Sequence, residues 1–105
     1  MSCSELLSVP QSSTEYIRAQ ISYWAGTTAD PTNFKVDFAF TPAEDIPPTT
    51  WYVGDWDVAR NRVFARVLVG PGSDAVLLPG VYAVWIRVNA VPESPVRMVG
   101  TLRIS

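Results

Sequence analysis

The 105-residue chain has no histidine, one cysteine and one lysine, and no apolar run approaching the roughly 18 residues that a membrane helix needs. Each lack excludes a class of function. Without histidine the commonest general base and metal ligand is missing, and with it any Ser-His or Cys-His nucleophile pair. The lone Cys3 admits no internal disulfide, so folding in a reducing cytosol is the expectation. Cys3 also lies in a terminal arm without a positioned base, which argues against a catalytic thiol. Eight basic residues against ten acidic ones leave a net charge of −2, whereas a nucleic-acid binder needs a basic face. Met1 to Leu7 has neither a basic n-region nor a continuous apolar stretch, so no secretory signal is read there. Two acidic groups, Asp55 with Asp57 and Glu44 with Asp45, lack the Asp-x-Asp-x-Asp-Gly series of a calcium loop and read as solvated charges. Gly70-Pro71-Gly72 lacks the lysine and helix start of a phosphate loop. No catalytic residue, metal or cofactor is expected, and neither nucleic acid nor membrane is expected as a partner.

What the chain does have is apolar residues at 48%, with four each of Trp, Tyr and Phe. That suffices for the core of one domain. Residues 1–13 read as a mobile arm or an edge strand over about 5–9, and residues 14–105 as a single domain. From Thr14 to Trp24, Ile17, Ala19, Ile21 and Tyr23 alternate with Arg18, Gln20 and Ser22, the period of a half-buried strand. Phe34, Val36, Phe38 and Phe40 alternate strictly with Lys35, Asp37 and Ala39. Three prolines between Thr41 and Thr50 exclude a central strand, and this stretch is expected to carry the chain from one sheet to the other. Thr50 to Asp57 reads as a short strand kinked near Gly54, followed by a turn over Val58 to Asn61. Arg62 to Val69 alternates again, and Ala75 to Leu78 reads as a short strand.

The stretch around which the rest is organised runs from Leu77 to Val88. Pro79-Gly80 is a turn signal, and the β-branched and aromatic run behind it suits a central strand. Tyr82 sits where a sandwich's corner tyrosine caps backbone upstream, so Pro79, Gly80 and Tyr82 form the expected structural corner. Tyr82, Val84, Ile86 and Val88 point inward by phase, and Ala83, Trp85 and Arg87 outward. The last strand, Val96 to Ile104, puts Arg97, Val99, Thr101 and Arg103 outward, with Gly100 in the inward phase where a bulge or ring needs room. Seven to eight short strands, no helical stripe and long proline-marked connections predict an all-β, Greek-key β-sandwich.

Aromatic residues stand above background. Trp24, Trp51, Tyr52, Trp56 and Trp85 cannot all satisfy their polar atoms inside one small core. Some fill the ends of the sandwich or form a contact patch, since tryptophan and tyrosine concentrate at interface hot spots. Trp85 is the leading candidate. An even register sets it beside Val99 or Thr101, flanked by Arg87 and Arg97, and a one-residue bulge would change that face. The candidate interaction surface is therefore Trp51, Tyr52, Trp56, Trp85, Arg87, Arg97 and Val99.

The C-terminal pattern, Leu78-Pro79-Gly80-Val81-Tyr82-Ala83-Val84-Trp85-Ile86-Arg87-Val88, then Pro92 to Val96 and Gly100-Thr101-Leu102-Arg103-Ile104, resembles immunoglobulin-like β-sandwich modules in the virions of tailed bacteriophages, including phages of actinobacteria. The likeness is at motif level over about the last 30 residues and one of pattern from residue 14 onward. It implies an immunoglobulin-like fold and a non-enzymatic virion component: a capsid decoration or cement protein, a head–tail connector, or a tail or baseplate module. The implied partners are other virion proteins, met in many copies or as a homo-oligomer, with assembly in the host cytoplasm. Two other readings stand beside it. One is a carbohydrate-binding module in which Trp51, Tyr52 and Trp56 stack on sugar rings; the other is a cytosolic immunoglobulin-like protein-interaction domain.

Overall fold

The computed structural model describes residues 5–21, 34–59, 62–89 and 96–105. Among them there is no helix and there are eight strands: β1 (Glu5–Val9), β2 (Glu15–Gln20), β3 (Lys35–Thr41), β4 (Tyr52–Val53), β5 (Asp55–Ala59), β6 (Arg62–Val69), β7 (Gly80–Asn89) and β8 (Val96–Ile104). They form a five-stranded sheet, β1-β8-β7-β3-β4, and a three-stranded sheet, β2-β6-β5. β1 runs parallel to β8; every other named pair is antiparallel. The order is that of an immunoglobulin sandwich: β8-β7-β3-β4 corresponds to its G-F-C-C′ sheet and β2-β6-β5 to its B-E-D sheet.

The alternation read from the sequence explains why two sheets close on each other. Ile17, Ala19, Ala65, Val67 and Val69 from the small sheet meet Val36, Phe38, Val84, Ile86, Val88 and Leu102 from the large one in a single buried cluster. Phe38, Ile17, Ile86 and Leu102 are fully buried, each stabilising the fold by about 1.5–3 kcal/mol relative to exposure. Val9 joins this core. The Ser105 N–H donates to the Val9 carbonyl (3.0 Å) and the Gln11 N–H to that of Ser105 (2.8 Å). β1 is thus tied along the edge of the large sheet.

The corner forms as its residues suggest. The Tyr82 hydroxyl donates to the Leu78 carbonyl at 2.7 Å, which ties the approach past Pro79 and Gly80 to the start of β7.

Two expected connections differ. The proline-rich stretch after β3 does not cross between sheets, because β3 and β4 pair within the same one. The crossing is made at Gly54, between Val53 of the large sheet and Asp55 of the small one. A Cβ at Gly54 would lie 2.6 Å from the Arg66 carbonyl oxygen and 2.8 Å from Phe38 Cδ1, so only glycine lets the backbone pass so close to both sheets. Nor do Ala75 to Leu78 form a strand. Ala75 makes one parallel bridge to Val69, and Val76 and Leu78 are exposed. Tyr23, Trp24 and Cys3 lie outside the described residues, as do Pro92 to Pro95.

Candidate functional site

The outer face of the large sheet is the most unusual surface among the described residues. On β3 the residues that alternate with the core-facing Val36, Phe38 and Phe40 are Asp37, Ala39 and Thr41. They point away from the core, yet they are buried, with Ala39 at 0% exposure and Ala83 beside them on β7 at 4%. Side chains lying flat on the sheet explain this. Trp85 pairs with Ala39, and its indole N–H donates to Thr41 Oγ1 at 2.9 Å, two residues further along β3. The ring must lean along the strand past Ala39 and Ala83. Trp51 precedes Tyr52, which pairs with Phe38, so the same register continued by one residue sets Trp51 opposite Ala39 from the other side.

Polar groups fix the neighbouring part of this face. Asp37 Oδ2 accepts from Arg87 Nη2 (2.9 Å), Arg87 Nε (3.3 Å) and Asn89 Nδ2 (2.7 Å). The Arg87 guanidinium lies 4.3 Å over the Trp51 ring, a cation–π contact. The face therefore combines two indoles, a clamped arginine and a floor of small residues. It is rigid and partly apolar, with its charge neutralised within the cluster.

The seven residues proposed from sequence divide. Trp51, Trp85 and Arg87 come together on this face. Tyr52 and Trp56 turn inward against the core; Tyr52 packs its ring 5.9 Å from that of Phe40. The Trp56 indole N–H donates to the Phe34 carbonyl at 2.8 Å. Adjacent strand residues point to opposite faces, so Trp51 and Tyr52 cannot share one. A bulge in β8 moves the other two. Val84 pairs with Gly100 and Trp85 with Met98, leaving Val99 unopposed, and Val99 packs against the core. Arg97 then pairs with Ile86, in the phase of the inner face rather than beside Trp85. The sequence reading missed Asp37, Thr41 and Asn89 as members. Their signal was present for Asp37, which stands in the outward phase of an otherwise aromatic strand.

The outer face of the small sheet is built differently. Arg66 stacks over Tyr16 (4.4 Å) and holds Asp55 through Nε (2.7 Å) and Nη2 (3.3 Å). Arg18 lies over Phe64 (4.5 Å) and reaches Asp57 at 3.6 Å. The hydrogen bond to Asp55 raises the Arg66 pKa above its ordinary value. Asp55 and Asp57 are therefore ion-pair partners rather than free loop charges. Among the described residues no three His, Cys, Asp or Glu side chains gather as metal ligands.

Fold and face together define an immunoglobulin-type β-sandwich with an aromatic and arginine-bearing sheet surface. No family model, curated protein or solved structure matches the chain.

Proposed function

We propose that this chain is a non-enzymatic structural protein of a phage virion, a capsid decoration or head–tail component that docks on a symmetric protein lattice through the outer face of its large sheet. The observation that carries the docking reading is the pair of indoles, Trp51 and Trp85, around buried Ala39 beside an arginine held by Asp37 and Asn89. Tryptophan and arginine are the side chains that dominate interface hot spots, and rigid ones lose little entropy on binding. The phage context rests on the resemblance of the Leu78 to Ile104 pattern. On a lattice, many copies let individually weak contacts add. A sugar-stacking role has less to rest on, because two of its three rings, Tyr52 and Trp56, pack inward.

Genes for a major capsid protein, portal or tail tube beside its own are the expected neighbourhood. Purified protein should sediment with particles assembled from those gene products, and Trp51→Ala should abolish this while leaving the unfolding midpoint within a few degrees. Absence of co-sedimentation, or fluorescence quenching by cell-wall polysaccharide that Trp51→Ala removes, would overturn the proposal.

A further inference from the structure

The crossing at Gly54 leaves a gap in the edge of the sandwich. β5 begins at Asp55, which pairs with Arg66, so on the side away from β2 no strand among the described residues flanks β6 beyond Arg66 until Ala75 bridges to Val69. The space is a groove of two adjoining hollows, about 260 and 180 Å³. Val53, Val67 and Leu68 line both. One end is closed by Gly72 to Ala75, the other by the Tyr16–Arg66–Asp55 stack.

Backbone polarity in this groove follows from register. The Ile21 N–H donates to the Val63 carbonyl, and in an antiparallel pair bonded and non-bonded positions alternate. Val63, Ala65, Val67 and Val69 therefore bond towards β2, and the N–H of Leu68 points the other way, into the groove. Likewise the Gly54 N–H donates to the Val36 carbonyl, so Tyr52 bonds towards β3 and both backbone groups of Val53 point outward. Val53 is also 77% exposed. Unpaired strand edges of this kind accept an added strand.

Charge favours one sort of strand. Asp55 is neutralised by Arg66, whereas Asp74 at the far end makes no ion pair among the described residues. Its loop is held still by Ser73, whose hydroxyl donates to the Gly70 carbonyl (2.7 Å) and accepts from the Ala75 N–H (3.2 Å). We propose that this groove takes an extended segment of a partner protein, bonded to the backbone of Val53, with an apolar side chain against Leu68 and a basic side chain at Asp74. This site is independent of the indole face on the large sheet.

The probe is a capped heptapeptide of alternating valine and lysine, titrated into the full ¹⁵N-labelled chain, with a valine–glutamate peptide as control. Amide shifts should concentrate at Val53, Leu68 and residues 73–75. Asp74→Asn should weaken the lysine peptide about threefold. Val53→Pro removes an N–H that faces away from β3, which an edge strand tolerates, and should weaken binding about tenfold through lost backbone bonds. If Val53→Pro does not fold, the same peptide N-methylated along its bonding edge supplies the measurement and should also lose binding. No shift at Val53 and Leu68 up to a few millimolar, equal binding of the glutamate peptide, or shifts at Trp51 and Trp85 instead would overturn the proposal. So would concentration-dependent shifts in the same amides without peptide, because the occupant would then be a second copy of this chain.

Discussion

Removing the Asp37 carboxylate should destabilise the fold by far more than a surface charge normally does. Asp37→Ala deletes one oxygen that accepts three hydrogen bonds, two from Arg87 and one from Asn89. The side chains of Asp37 and Arg87 are 13% and 31% exposed. Breaking a fully buried ion pair by removing one partner costs about 3–5 kcal/mol, and an exposed pair contributes at most about 1 kcal/mol. A nearly covered carboxylate with a guanidinium one-third open lies between these limits, at about 2 kcal/mol. With a urea slope of about 1–2 kcal/mol per molar for a domain of this size, the unfolding midpoint should fall by about 1–2 M. In the double-mutant cycle with Arg87→Ala, a coupling of about 1 kcal/mol or more is expected. Near-ultraviolet circular dichroism should change in both single variants, because Arg87 no longer lies fixed over Trp51. A loss under about 0.5 kcal/mol for Asp37→Ala, with coupling near zero, would refute a clamped cluster on this face.

The remaining predictions concern the frame. Tyr82→Phe removes the bond to the Leu78 carbonyl and should cost about 1 kcal/mol in urea unfolding; no loss would remove the corner from the account. Gly54→Ala forces a Cβ against the Arg66 carbonyl and the Phe38 ring, both within 3 Å, and should cost about 3 kcal/mol or leave no folded protein, read by thermal melting. Arg66→Ala loses an exposed pair and one ring contact, so only a slight fall in the urea midpoint is expected, with the difference from the parent shrinking as salt is raised to about 1 M.

Period-2 alternation made the strands legible. β6 and β8 begin and end where their alternating stretches do, and β3 and β7 carry the inward sets expected of them, because each buries a single face against the opposite sheet. The corner tyrosine was legible for the same local reason: its partner is four residues away. What could not be read depends on register between distant residues. The Asp37, Arg87 and Asn89 cluster joins strands some 50 residues apart, and no local pattern reports such a pairing. The bulge opposite Val84 and Trp85 inverted the phase of Val99 and Arg97, since one extra residue turns a strand's side chains over. Gly54 was legible as a kink. That the kink is a change of sheet, which sends Trp56 into the core while Trp51 stays outside, follows from packing rather than from sequence period.

Oxidative footprinting of the tryptophans, free and in assembled particles, tests the central claim most directly. If this protein acts by what its large sheet lies against, Trp51 and Trp85 should lose most of their labelling in the particle while exposed Tyr16 on the opposite face keeps its own. Unchanged labelling of both indoles, with protection at Tyr16 instead, would contradict it.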